Sequence, residues 1–274
     1  MRNVRRHSGC HLRGNHGSLS GHTPDTFRTL RKALNHRSGS SPPRFYFHFF
    51  PSMTTVLLPV APKTASPVPH LTSLYHNSEA GDYGDRGYPG NCGGNLIKDL
   101  LRFFKVATCL DPMTGSGTCR DVCDELGIYC YSSDLHQGAD ACDASQFPRA
   151  CFQFAWLHPP YWRQKLYTDD SRCLSRTPTL AAFLDRYRLL IDNCVGSLVP
   201  GGRLAILVGD YKDREAGFVP LVYHTKRLAF EAGLHQCTTD IIRWSHGASS
   251  SKKVYRSSFI PGLHDVCMVF EKQN

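Results

Sequence analysis

The chain has 274 residues, 41% hydrophobic and 20% charged, a balance that suits one sizeable domain with a buried core and excludes a wholly disordered polypeptide. No stretch approaches the roughly 18 consecutive apolar residues of a membrane-spanning helix. The net charge of +9 sits almost entirely in residues 1–52, where eight Arg and Lys32 face the single Asp25. The basic character is therefore a property of that tail, and it argues only weakly that the body binds nucleic acid.

Residues 1–75 read as a disordered basic and Pro-rich tail, and residues 76–274 as a single domain. The tail is rich in Arg, Ser, His and Gly, with almost no acid and no long apolar period. Three readings of it stand side by side. It is a basic arm on nucleic acid, a leader of the transit type, or sequence ahead of a true start at Met53. Turn formers crowd residues 81–95.

From Asn95 the pattern is regular. "NLIKDLLRFF" (95–104) has helical apolar spacing, and "KVATCL" (105–110) is a short strand. "TCRDVCDELG" (118–127) is a helix closed by Gly127, and "IYCYS" (128–132) is a second strand. "CFQFAWL" (151–157) is a buried strand. The segment 179–198 is a helix with Leu180, Phe183, Leu184, Tyr187, Ile191 and Cys194 on one face, broken by "PGG". "RLAILVG" (203–209) is a strand, residues 218–234 a helix, and "CTTDIIRW" and "DVCMVFEK" two closing strands. Apolar strands alternating with helices predict an α/β fold, Rossmann-like, with a mostly parallel sheet covered on both faces.

None of the twelve cysteines forms a C-x-x-C pair, which argues against a zinc ribbon or a redox motif, and no metal site is expected. Several lie in apolar runs, where free cysteine acts as a small hydrophobe, as in a reducing, intracellular, cytoplasmic protein.

The sharpest motif is "CLDPMTGSGTCRDV" (109–122): a strand ending at Asp111, a loop with Gly115 and Gly117, then a helix. Glycine lets a ligand approach the backbone closely, and ligands of open α/β sheets bind at such strand ends. The Lys-Ser/Thr ending of a phosphate P-loop is missing. Asp134 follows at the end of the next strand, where an acidic residue typically holds ribose hydroxyls, and Asp143 follows the third candidate position. "HPPYW" (158–162) ends the fourth; its proline pair stops the strand and fixes the backbone beside Tyr161 and Trp162.

Over roughly residues 85–272 this order of motifs resembles the S-adenosylmethionine-dependent DNA amino-methyltransferases of the Pro-Pro-Tyr type, which modify adenine N6 or cytosine N4. The resemblance implies a Rossmann-like methyltransferase fold with an antiparallel closing strand, and S-adenosyl-L-methionine as cofactor. It implies cofactor contacts from Asp111, Pro112, Thr114, Gly115, Gly117, Thr118, Asp134 and Asp143, with Asn91 and Gly93 in the segment that closes over the methionine end. It implies catalysis by His158, Pro159, Pro160 and Tyr161. An exocyclic amino lone pair is delocalised into its ring, so acceptors that pull on the amino hydrogens help it react. The family has Asp, Asn or Ser where this chain has His158; neutral imidazole still accepts a hydrogen bond, but the target base is left open, with adenine taken ahead of cytosine.

A base inside a duplex must be flipped out to be reached. Double-stranded DNA is the expected partner, with a cognate nuclease or specificity subunit as a further candidate and a nucleoid location. The basic loops 163–177 and 243–259 are the expected contacts, through Trp162, Arg163, Lys165, Arg243, Lys252, Lys253 and Arg256. An RNA or protein-amide N-methyltransferase and a non-catalytic cofactor-binding module remain as alternatives.

Overall fold

The computed structural model describes residues 66–76, 81–244, 260 and 262–273. All belong to the unit Pro59–Asn274. The expected contacts Lys252, Lys253 and Arg256, and the readings of the tail up to residue 65, lie outside the described residues.

In chain order the elements are β1 (Leu74–His76), α1 (Asn95–Phe104), β2 (Thr108–Asp111), α2 (Thr118–Leu126), β3 (Tyr129–Ser132) and β4 (Phe152–Leu157). Then come α3 (Leu180–Ser197), β5 (Leu198–Val208), β6 (Tyr211–Asp213), β7 (Gly217–Val219), α4 (Leu221–Glu231), β8 (Leu234–Gln236), β9 (Ile241–Trp244) and β10 (His264–Lys272). The main sheet runs β3-β2-β4-β5-β10-β9-β1, with β8 on the far half of β10. Strands β3, β2, β4 and β5 are parallel, whereas β10 is antiparallel to β5, β8 and β9. This is the expected Rossmann-like α/β sheet with an antiparallel closing strand.

Strand alternation sorts the core into two layers. Leu110, Ala155, Leu157, Leu204, Ile206, Val208, Val266, Met268 and Phe270 share one cluster with Phe183, Tyr187, Leu190 and Ile191 of α3 and with Leu221 and Leu228 of α4. The intervening Cys109, Phe154, Trp156, Ala205, Leu207, Cys267 and Val269 meet Leu96, Ile97, Leu100 and Leu101 of α1 and Val122 of α2. Because both faces are covered, the central strands read as continuous apolar runs. Helix ends follow their local chemistry. Thr179 Oγ1 accepts the Ala182 N–H at 3.1 Å and caps α3, and Gly127 closes α2 in the left-handed region at φ 66°.

Four features depart from the sequence reading. The folded body starts before residue 76, since Val68 and Tyr75 are buried and β1 pairs with β9. The "PGG" segment does not separate helix from strand: Leu198 already pairs with Phe152, and Val199–Gly202 bulge out before Arg203 pairs with Phe154. The segment "FVP" closes the β6–β7 hairpin, and α4 begins only at Leu221. Strand β8 is short, its exposed middle residue offering no apolar run to read.

From β2 the chain steps outward to β3, then returns to place β4 on the other side of β2. That reversal opens a crevice at the carboxyl ends of β2 and β4, the standard ligand position of such sheets.

Candidate active site

Strand β2 ends at Asp111 and β4 at Leu157, so the loops 112–117 and 158–164 leave the sheet at this reversal. A cleft lies there, where ligands of such sheets bind. Asp111, Pro112, Thr114, Gly115, Thr118, Asp134, His158 and Pro160 all line it. One cleft therefore joins the glycine loop and the tetrapeptide, which lie far apart in the sequence.

Backbone bonds hold the glycine loop in place. The Thr114 N–H donates to Ser133 O and the Ser133 N–H to Asp111 O, both at 3.0 Å, which ties the ends of β2 and β3 together. Asp134 accepts the Gly115 N–H at 2.9 Å through one carboxylate oxygen and the His136 N–H at 2.9 Å through the other. A carboxylate has about four acceptor positions, so lone pairs remain for a ligand. Gly115 needs to be glycine: its φ is 47°, and a Cβ there would sit 3.2 Å from the Tyr88 ring. Tyr88 stacks on Tyr167, with ring centroids 6.1 Å apart, and both rings border the cleft.

Asp111 is 2% exposed. Burial first, and then the neighbouring Cys130, push its carboxyl up to about 8, against hydrogen bonds from Thr114 and the Met113 N–H. Its neutral form is the one that the fold favours around pH 7.

Asn91, Gly93, Gly117 and Asp143 do not themselves line the cleft. Gly117 is the left-handed N-cap of α2, and its N–H donates to Thr114 O at 2.8 Å. Asn91 donates to the carbonyls of Tyr83 and Asp85 and accepts the Gly93 N–H, so Asn91 and Gly93 shape the segment whose Gly90 and Cys92 line the cleft. Asp143 is exposed and caps the turn Ala144–Gln146. Asp140, in the same "ADACD" run, lines the cleft instead, with both oxygens 3.1 Å from Arg186 Nη2. The sequence marks the run but not which carboxylate turns inward.

In the tetrapeptide, Pro159 is buried and His158 Nε2 lies 3.5 Å from the Tyr161 hydroxyl. That hydroxyl donates to Asp265 Oδ1 at 3.3 Å. Asp265 Oδ2 pairs with Arg243 at 2.7 Å, and Arg243 also donates to Cys92 O. Burial, with Asp265 beside it, pushes the Tyr161 phenol well above its usual range, so it stays a neutral donor.

These contacts correct two expected DNA contacts. Arg243 is 2% exposed and ties the tetrapeptide to the 90–93 segment from within; its charge is stable there because Asp265 compensates it. Trp162 is also 2% exposed, packs in the core and donates its indole N–H to Thr177 O at 3.0 Å. Arg163 lies over the Trp162 ring and makes paired bonds to Asp213 at 3.0 and 2.7 Å, with Glu215 adding a third contact. Lys165 is exposed. The 163–177 segment is not a solvated run either: Cys173, Leu174 and Ser175 are buried, and Tyr167, Thr168 and Arg172 border the cleft.

No helix among the described residues is long and apolar enough to cross a membrane.

No family model matches the sequence, and no curated protein matches it. Solved structures do. One is a Thermus thermophilus protein described as a candidate DNA modification methylase, complexed with S-adenosyl-L-methionine, at 24% identity and TM-score 0.37 over 49% of this chain and 54% of that one. Another is a SAM-dependent methyltransferase from Archaeoglobus fulgidus, at 14% identity and TM-score 0.42 over 65% of this chain and 94% of that one. A third is the N-methyltransferase NodS from Bradyrhizobium japonicum, with S-adenosyl-L-homocysteine, at 16% identity and TM-score 0.35 over 67% and 75%. The chain spans about half the length of the Thermus protein. TM-scores this low add nothing to the strand order, so the function is read from the site residues.

Proposed function

We propose that this chain is an S-adenosylmethionine-dependent methyltransferase acting on the exocyclic amino group of a base flipped out of double-stranded DNA, adenine N6 ahead of cytosine N4. One observation carries the reading: residues 112–116 of the glycine loop and His158 and Pro160 of the tetrapeptide open into a single cleft at the sheet reversal. The cleft suits the cofactor. It has a loop where Gly115 leaves the backbone open to close approach, and the Asp134 carboxylate beside that loop.

When bound, S-adenosylmethionine supplies a methyl group activated for transfer to a nitrogen. The chain's own residues then do the following. Asp134 accepts from ribose hydroxyls while its bond to the Gly115 N–H fixes the loop. Asp111, neutral around pH 7, adds no second full negative charge at the strand end. His158 accepts a hydrogen bond from the target amino group, pulling electron density toward nitrogen as positive charge develops there. The rigid proline pair holds a backbone carbonyl as a second acceptor. Tyr161, anchored through Asp265, holds the tetrapeptide against β10.

The decisive experiment is transfer of tritiated methyl from S-adenosylmethionine to duplex DNA, total RNA and protein, run in parallel with the full chain. DNA labelling, followed by modification-aware sequencing, would give base and site together. Labelling of RNA or protein alone would replace the substrate, and cofactor binding without any labelling would leave a non-catalytic module.

A further inference from the structure

Four cysteines that the sequence scatters meet at one point behind the glycine loop. Cys109 in β2 and Cys130 in β3 are register partners on adjacent parallel strands. Cys119 and Cys123 are four apart in α2, so they share one helix face. The strand pair and the helix face bring all four sulfurs within 4.8 Å of one another. Cys109, Cys119 and Cys123 are buried, and Cys130 is half-buried.

We infer that Cys109, Cys119, Cys123 and Cys130 form a structural zinc site. This inference is independent of the proposed activity. The distances choose among the alternatives. A disulfide needs sulfurs about 2.05 Å apart, whereas the Sγ atoms of Cys109 and Cys119 are 3.8 Å apart. Four sulfurs about 2.3 Å from a central zinc lie about 3.8 Å from each other in a tetrahedron. A two- or four-iron cluster places its own sulfides between the cysteines and holds them farther apart. Closed tetrahedral thiolate sites with no open position are structural ones. Simple hydrophobic packing does not explain the convergence: the buried Cys92, Cys173, Cys194 and Cys267 join no such group among the described residues.

Binding is balanced by proton release. Each thiol still protonated gives its proton to solvent as a sulfur–zinc bond forms, leaving a zinc tetrathiolate. The centre would then fasten β2, α2 and β3 to each other. Cys119 both borders the cleft and belongs to the cluster.

The test uses the full chain purified under reducing conditions. Metal analysis should find one zinc per chain. Cobalt(II) exchanged into the protein should give the intense visible bands of a tetrahedral tetrathiolate. Cys123→Ser and Cys130→Ser should each lose the metal and those bands, while exposed Cys151→Ser should keep both. Because a serine variant could misfold, the native chain also carries its own readout. Four thiols should react with a thiol reagent only after a chelator is added. A full chain that holds no zinc and takes up neither zinc nor cobalt on titration overturns the inference. So does a mononuclear iron in its place, or metal loss in Cys151→Ser equal to that in Cys123→Ser.

Discussion

At the scale of single residues, two side chains carry the sharpest expectations. His158 lines the cleft where the family it resembles has a carboxylate, amide or hydroxyl. Replacing it with alanine removes one preorganised acceptor, and turnover should fall about 100-fold, the lower end for such contacts. His158→Asn keeps an acceptor and should recover most of the rate. Steady-state methyl transfer separates the cases, and an alanine variant at full speed would leave the proline carbonyl to act alone. Asp111 makes a stability prediction. Its carboxyl is raised to about 8 by burial, so the neutral form is favoured in the fold. Stability from this group is whole below the unfolded value near 4 and is lost as pH rises toward about 8. Asp111→Asn, an isosteric neutral replacement, should match the parent at about pH 4 and exceed it by several kcal/mol above pH 8, with about 5 kcal/mol as the ceiling for a carboxyl raised this far. Urea unfolding of the ligand-free proteins across that range checks the sign; equal stability at every pH would show that Asp111 ionises at no cost.

At the scale of elements, the Arg243–Asp265 pair joins β9 and β10 to the tetrapeptide and to the 90–93 segment. Arg243→Met takes the guanidinium from the half-buried Asp265, which keeps its Tyr161 bond, and should cost about 3 kcal/mol, the low end for a broken buried pair. The double variant Arg243→Met, Asp265→Leu should recover much of that loss, because no lone charge stays behind; chemical denaturation of the four proteins of the cycle measures it. The same pair marks the limit of the sequence. The motifs 109–122 and 158–161 were legible because each is a local pattern with a chemical reason. Arg243 read as a surface contact because its neighbours 245–259 are basic and polar, and nothing local reveals Asp265, 22 residues away. Trp162 read as a free ring for the same reason, although Thr177 O fixes its indole N–H. The four cysteines were missed because their ligand spacing runs through strand, helix and strand, and only β2–β3 register brings them together.

At the scale of the whole molecule, the alternation of apolar strands and helices revealed the sheet and its two covered faces. It could not reveal β1 and the β6–β7 hairpin, which are three-residue strands with too little period to detect. The described core draws its residues from Val68 onward. Deleting residues 1–52 should therefore leave the melting temperature within about 2 °C, a shift of about 0.5–1 kcal/mol for a domain this size. A larger drop in thermal unfolding would assign the tail a part in the fold, and a selective loss of DNA affinity would support the basic arm. The place of β10 in the sheet has a consequence for biosynthesis. It is the latest of these strands in chain order, yet it lies between β5 and β9. While a ribosome extends the chain at about 5–20 residues per second, β3-β2-β4-β5 and β9-β1 wait as two fragments, each with an open hydrogen-bonding edge. Those unpaired edges are templates for wrong partners. The nascent protein should thus depend most on chaperones in the interval just before residues 264–272 are made.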